Sequence, residues 1–322
     1  MTLLRQELFA IACLTVLGSG VSMAQSYPVK PVKFVVGFPA GGGVDVVARA
    51  LGPRLTELWG QQIIVDNRSG ANGTIATDLV AKSPADGYTI MMAFSSHTIN
   101  AALYEKLPYD AQRDFAPVML IAAVPNILVV HPSLPVKSVR DLVALAKARP
   151  SQINYASAGS GSPAHMSAEL FKSMANVDLA HVAYKGGPPS IVSVVGGETS
   201  LTFTTVLLAL PHVKSGRMRS VAVTSNKRSA VLPEVATVAE TVPGYESAAW
   251  YGMLAPAGIP RNALTRLHND MVRVLQTPEF RDYLLNQGAE PVGSTPEQFA
   301  AIITAEIDKW RKVVKQTGMK VE

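Results

Sequence analysis

The alternation of short apolar runs, glycine-rich turns and amphipathic stretches is the feature that most limits the fold of this chain. The stretch "FVVGFPAGGGVDVVARAL" (residues 34–51) passes from an apolar segment through three consecutive glycines into a helical pattern. The same order returns in "YASAGSGSPAHMSAELF" (residues 155–171). Repeated strand, helix and strand units predict parallel β-sheets that are covered by helices.

The predicted units form two cycles along the chain. Strands at residues 61–68 and 88–94 enclose a helix at 73–83, and a second cycle of helices and strands runs from residue 139 to residue 205. Two long amphipathic helices close the chain and should brace the core. Since 48% of the 322 residues are hydrophobic and only 16% are charged, the chain can bury two cores. We expect an α/β protein of two domains, with a kink or a break at Pro53 in the first helix.

The N-terminal segment is typical of a secretory leader. Arg5 precedes an apolar run at residues 8–21, and Ser22, Met23 and Ala24 provide a small-residue cleavage site after Ala24. A membrane span is the alternative, but the run is shorter than the roughly 20 residues that a span needs. The single cysteine, Cys13, lies inside this segment, so the exported chain would have no thiol for disulfides, metal binding or nucleophilic catalysis.

Both glycine loops expose backbone N–H groups at the start of a helix, where anions bind. Two such loops favour one anionic ligand held from two sides, although each loop alone could be a tight connection. Nucleotide patterns fit poorly. Gly43 and Val44 stand where a phosphate loop requires Lys and Ser or Thr, and Val46 stands at the third glycine of a dinucleotide-binding turn.

Catalysis and metal binding have weak support in the sequence. Ser162 and His165 are three residues apart and could form a hydrolytic pair, but no nucleophile-elbow motif surrounds them and no third carboxylate can be assigned. A capping serine and an ordinary histidine are the favoured interpretation. The other histidines lack metal-ligand spacing. The formal charge of +5 is scattered, which argues against nucleic-acid binding. No cofactor is expected.

Six motifs, in order, resemble the Bug family of periplasmic receptors for tripartite tricarboxylate transporters. They are "VGFPAGGGVDVVAR", "VDNRSGANGTIATDLVAKSPADGYT", "NYASAGSGSPAHMSAELF", "VAYKGGPPSIVSVVGGE", "LPHVKSGRMRSVAVTS" and "YGMLAPAGIP". The resemblance covers the whole exported chain. It implies two doubly wound α/β domains of the type II periplasmic-binding-protein kind, a Venus flytrap with its ligand cleft between the domains.

The resemblance also implies domain limits and site residues. Crossings near residues 127–130 and 247–251 would divide the chain into a signal peptide (1–24), a first domain (25–126 plus 248–322) and a second domain (127–247). One side of the site would comprise Phe38, Ala40, Gly41, Gly42 and Asp45, and the other Ser157, Ala158, Gly159, Ser160, Gly161 and His165. Asp45 would orient its loop, because a carboxylate repels an anion. Tyr184 and Lys185 would line the cleft, and Ser95 would reach the far end of the ligand.

The implied function is a receptor, not an enzyme, that captures a small carboxylate. Thr204 and Thr205 stand where many relatives carry an aspartate and an asparagine that could pair with an ammonium group, so we expect a non-amino mono- or dicarboxylate. The expected setting is the periplasm, and the expected partner is a membrane permease or a signalling protein that recognises the loaded, monomeric receptor. A serine-type hydrolase remains the alternative from another class.

Overall fold

The computed structural model describes residues 27–229 and 232–319. The predicted leader and its cleavage site lie outside these residues. The strands are β1 (Val32–Val36), β2 (Ile63–Asn67), β3 (Thr89–Phe94), β4 (Phe115–Val130), β5 (Asn154–Ser157), β6 (Ala180–Ala183), β7 (Leu201–Thr205), β8 (Arg219–Val223), β9 (Ala248–Pro256) and β10 (Glu290–Pro291). The helices are α1 (Gly43–Trp59), α2 (Thr74–Ala81), α3 (Ser96–Leu103), α4 (Val139–Ala148), α5 (Pro163–Ala175), α6 (Gly187–Val195), α7 (Val206–Lys214), α8 (Arg261–Gln276), α9 (Pro278–Asn286) and α10 (Pro296–Thr317).

The strands follow one another in the order β2-β1-β3-β9-β4-β7-β5-β6, with β8 and β10 also paired to β4. The outer strands pair in parallel, β1 with β2 and β3, and β5 with β6 and β7. The central pairs β3–β9, β9–β4 and β4–β7 are antiparallel. The prediction of parallel strand–helix–strand units is therefore confirmed in both halves of the α/β fold.

The 16-residue strand β4 connects the two halves. It pairs with β9 as far as Pro125, with β7 from Asn126 onward and with β8 from Ile127 onward. The return crossing is at Ser247, whose N–H donates to the Thr224 carbonyl just before β9 begins. These changes of partner lie beside the crossings that the family resemblance implies. We retain the division at residues 126 and 247 as a proposal.

The C-terminal helix α10 braces both halves, as its amphipathic pattern predicts. Its first turns bury Phe299 and Ile303 against the β3 and β9 side of the sheet. Further along, Trp310 and Val313 pack with Tyr155 and other residues of the second half. One helix therefore contributes to two hydrophobic clusters, and this limits how far the halves can move independently.

The expected break at Pro53 is absent, because α1 continues from Gly43 to Trp59 with Pro53 inside it. Proline removes one helical hydrogen bond and normally clashes with the Cβ of the residue before it. Here the preceding residue is Gly52, which has no Cβ. Burial of Val47, Leu51 and Leu55 on one face of the helix offsets the remaining cost.

Helices α3, α7 and α9, the short strand β10 and the full length of β4 are not among the elements that the sequence pattern predicts. Within the described residues, every helix is too short or too polar to span a membrane.

Candidate functional site

A small inner cavity lies where the two halves meet, and four helices begin in its wall. The N-terminal ends of α1 and of α5, α6 and α7 come from opposite halves of the fold. The cavity is lined by Phe38, Pro39, Gly42, Gly43, Val44, Phe94, Asn126, Ala158, Ser162, Pro163, Ala164, Gly187, Pro188, Thr204, Thr205, Leu208 and Tyr251.

The helix ends give this cavity a positive potential without a charged side chain. The first N–H groups of a helix have no acceptor within their own helix, and its N-terminus carries a partial positive charge. Among these helices, α1, α6 and α7 have no side-chain cap, whereas Ser162 caps α5 by accepting from the His165 backbone N–H. The prolines at the starts of α5 and α6 have no backbone N–H, so they reduce the number of N–H donors at the cavity, but the helix dipoles remain.

Two buried hydroxyl groups complete the polar lining. Tyr251 is fully buried and Thr205 is 6% exposed, and within the described part of the chain neither hydroxyl has a hydrogen-bond partner. Burial raises the pKa of Tyr251 well above its usual value, and the Thr205 hydroxyl, which is close enough to interact weakly without forming a hydrogen bond, opposes the shift. Tyr251 is therefore a neutral phenol at all pH values at which the protein would work.

An aromatic ladder forms the apolar wall of the inner cavity. The Phe38 ring meets Phe94 edge-on at 5.5 Å, and Phe94 stacks on Tyr251 at 5.5 Å. The volume inside the inner cavity that the centre of a water molecule can occupy is about 50 Å³. One water needs roughly 10–15 Å³ by this measure, so the cavity has space for a group of a few heavy atoms, such as a carboxylate.

A wider outer cavity of about 640 Å³ shares Phe38, Pro39 and Ala158 with the inner one. Its other lining residues are Gly37, Ser69, Gly70, Ala71, Asn72, Gly73, Tyr104, Gly159, Ser160, Tyr184, Lys185 and Gly186. Lys185 is the one charged residue in this lining, and no Asp or Glu of the described chain lines either cavity. The combined site therefore favours anions along its length.

Asp45 holds the first glycine loop in place. Its carboxylate accepts from the Gly41 N–H at 2.9 Å, from Arg49 Nε and from Asn67 Nδ2. Burial disfavours the charged form, but these hydrogen bonds outweigh it and keep the pKa of Asp45 below its usual value. Asp45 is 2% exposed and lies outside both cavity walls. Its contacts are those of the loop-orienting residue that the resemblance implies.

His165 supports the second glycine loop in a similar way. Its Nδ1 accepts from the Gly161 N–H at 3.0 Å, and its ring stacks on His181 with centroids 4.0 Å apart. His181 Nε2 lies 2.6 Å from Ser157 Oγ. Burial, with smaller contributions from His181 and Lys172, lowers the pKa of His165 to about 3. The neutral ring thus remains an acceptor for the loop amide.

Asn72 connects the two halves at the wall of the outer cavity. It precedes α2 and has a left-handed backbone conformation with a φ of 52°. Its Nδ2 donates hydrogen bonds to the Gly161 carbonyl at 2.7 Å and to Asn100 Oδ1 at 2.8 Å. Asn100 Nδ2 donates back to the Asn72 carbonyl. The second glycine loop is therefore fastened to the opposite half of the fold.

The structure places many of the expected site residues in the cavity walls. These are Phe38, Gly42, Ala158, Gly159, Ser160, Tyr184, Lys185, Thr204 and Thr205. Others stand outside the walls, namely Ala40, Gly41, Asp45, Ser95, Ser157, Gly161 and His165. Gly161 and His165 act on the loop rather than facing the cavity, and Ser95 is completely buried.

The wall also contains residues outside the set of expected ligand-binding residues, chiefly Tyr251, Asn126, Phe94 and Gly43. Asn126 lies at the crossing on β4, and its Nδ2 donates to Ser167 Oγ at 3.0 Å. Gly43 lies directly against the Tyr251 hydroxyl, which occupies the space that a Cβ would need. A glycine in a helical first turn was the available signal for such a close approach.

The pair that a serine hydrolase would need is not formed by Ser162 and His165. The Ser162 hydroxyl caps α5, and the His165 imidazole is bonded to the Gly161 amide. Ser157 and His181 do approach each other, but Ser157 is fully buried behind the loop and lines neither cavity. The polar groups of the site are arranged for binding.

Comparison with known proteins gives a consistent result. A family model described as "Tripartite tricarboxylate transporter family receptor" matches residues 47–319. The solved structure of R. palustris Rpa4515 with adipate has 40% identity and a TM-score of 0.88, covering 91% of this chain and 99% of that one. The periplasmic binding protein BugD has 30% identity and a TM-score of 0.87 over 92% and 100% of the chains. MatC of Rhodopseudomonas palustris with bound malate has 30% identity and a TM-score of 0.84 over 89% and 100%.

Proposed function

The chain belongs to the tripartite tricarboxylate transporter receptor family, and from this premise we propose that it is a periplasmic receptor for a small, non-amino carboxylate. The observation that carries the proposal is the convergence of four helix N-termini on a cavity of carboxylate size. Main-chain amides and hydroxyls would replace the hydration shell of one carboxylate there. Family and structural neighbours are solute-binding proteins and not enzymes.

The charges around the site support an acid without an ammonium group. A buried ammonium would need an anionic partner, and no carboxylate of the described residues lines either cavity. Lys185 would meet a second negative group that extends into the outer cavity. The similar proteins named above carry adipate and malate, which are both dicarboxylates without an amino group.

Closure of the two domains around the bound carboxylate would produce the form of the receptor that a partner protein recognises. A ligand that contacts both glycine loops binds the closed form better than the open form and shifts the population toward it. A membrane permease of the tripartite type would then recognise the closed, monomeric receptor. A signalling protein could read the same closed form, and loss of uptake in a permease deletion strain would separate these two partners.

The test is the thermal unfolding of protein stripped of carried-over ligand, against mono-, di- and tricarboxylates, aromatic acids and amino acids. An acid present at 100 times its Kd should stabilise the folded state by about 2.7 kcal/mol, which gives a clear rise in Tm. A rise with one group of non-amino carboxylates is expected. The proposal fails if none of the acids binds, or if an amino acid binds most tightly.

Replacing Lys185 with methionine should weaken adipate binding by about 1.4- to fivefold, because an exposed ion pair contributes about 0.2–1 kcal/mol. Hexanoate has the same six carbons but one carboxylate, so its affinity should stay unchanged. Isothermal titration of both acids gives the two ratios. Lys147→Met, at an exposed position on α4 that lines neither cavity, is the matched control and should alter neither affinity. Equal losses for adipate and hexanoate would contradict the role of Lys185.

A further inference from the structure

Tyr251 and Thr205 carry buried hydroxyls that form no hydrogen bond in the described protein, although the two hydroxyls are close enough to interact weakly with each other. Ser95 and Tyr184 also have buried hydroxyls without a partner among the described residues, but neither lines the inner cavity. A buried hydroxyl without a partner loses its hydrogen bonds to water and gains nothing in return. Contact with a ligand is one reason for a protein to retain such a cost. Both residues line the inner cavity, so a bound molecule is within reach of the two hydroxyls.

Each hydroxyl lies next to the beginning of a helix. The Tyr251 hydroxyl packs against Gly43, the first residue of α1. Thr205 is the N-cap residue of α7, yet its side chain makes no capping bond. Two helix ends from opposite halves and two unpaired hydroxyls are thus directed at one small space. The hydroxyls supply side-chain donors at the place where the main chain supplies amides.

We infer that Tyr251 and Thr205 form a hydroxyl pair that donates hydrogen bonds to the buried carboxylate of the ligand. This inference rests on the proposed carboxylate receptor and adds residue roles that the glycine loops do not supply. Tyr251 belongs to β9, one of the two strands beside the domain crossing, and its ring is fixed by stacking on Phe94. The donor is therefore held in place before the ligand arrives, and little entropy is lost on binding.

The test compares two buried tyrosines with opposite hydrogen-bond states. Tyr251→Phe removes an unpaired hydroxyl, so the Tm of the ligand-free protein should stay the same or rise. Its affinity for adipate and for the other panel acids should fall about ten- to a hundredfold, as for a lost hydrogen bond to a charged group. Tyr245→Phe is the matched control. The Tyr245 hydroxyl donates a hydrogen bond to the Ser167 carbonyl at 2.9 Å, so this variant should have a lower Tm but an unchanged affinity for the acids.

Thr205→Val, which keeps the shape of the side chain, tests the second hydroxyl. If both hydroxyls bind the same carboxylate, the double variant should lose less affinity than the product of the two single losses. The inference is overturned if the unchanged protein binds an acid of the panel and Tyr251→Phe binds it equally well. It is also overturned if Tyr251→Phe lowers the Tm as Tyr245→Phe does without loss of affinity. Failure of the unchanged protein to bind any acid would instead refute the proposed function itself.

Discussion

Replacing Gly43 with alanine is expected to abolish carboxylate binding, with the affinity falling by at least about 100-fold. A Cβ at this position would overlap the Tyr251 hydroxyl and lie 3.2 Å from the ring carbon that carries it. The tyrosine ring is confined by Phe94, so the N-terminus of α1 has to shift away from the cavity. A carboxylate would then lose at least two hydrogen bonds of about 1.5–3 kcal/mol each.

The protein itself should remain folded. Overpacking around the new Cβ should lower the free energy of unfolding by about 1–3 kcal/mol, whereas the better helix propensity of alanine should raise it by about 1 kcal/mol. Urea unfolding with adipate titration measures both effects. Gly60→Ala, at the other end of α1, is the control, because its φ of 61° makes alanine unfavourable while no atom crowds the position. It should cost stability but leave binding intact. The double variant Gly43→Ala with Tyr251→Phe should regain part of the stability, and normal binding by Gly43→Ala alone would contradict the close-packing explanation.

The parts of this structure that could be predicted from sequence are those that local patterns determine. Short apolar runs and helical periodicities identified the parallel units, and the glycines after β1 and β5 identified the loops that face the site. Phe38 and Ala158 lie in the walls of both cavities because Phe38 is the second residue after β1 and Ala158 is the first residue after β5. A strand that ends in such a loop delivers its next residues to one edge of the sheet, whatever the rest of the fold does.

Residues that reach the site through long-range pairing could not be predicted in this way. Tyr251 faces Gly43 only because β9 pairs with β3 and β4, and no feature of "WYGML" states that register. Asn126 reaches the cavity because β4 changes partners there. Ser162 and His165 follow the interpretation that the sequence favoured, because Ser162 caps α5 and the His165 imidazole accepts from the Gly161 amide instead of from the serine.

Acid is expected to destabilise this protein through two buried histidines. Burial lowers the pKa of His97 to about 4, against a smaller opposing effect of its bond to the Ala111 carbonyl, and the pKa of His165 is about 3. In the unfolded chain both groups titrate near 6.5. The unfolded state therefore binds more protons than the folded state below pH 6.5, and stability falls as the pH is lowered toward the folded pKa values.

The free energy of unfolding should drop by about 2–3 kcal/mol for each histidine between pH 7 and pH 4.5, since one pKa unit corresponds to about 1.4 kcal/mol. Urea unfolding at the two pH values measures the drop. His165→Asn keeps an acceptor for the Gly161 amide but cannot titrate. The fall in its free energy of unfolding between the two pH values should therefore be smaller by the about 2–3 kcal/mol that one histidine contributes. His131→Asn, at a partly exposed ring, should leave the drop unchanged. An equal drop in all three proteins would exclude His165 as a source. Protonation at Nδ1 would place two donors face to face at Gly161, but with a pKa of about 3 the ring of the folded protein stays neutral at pH 4.5, so the second glycine loop should keep this hydrogen bond until the chain unfolds.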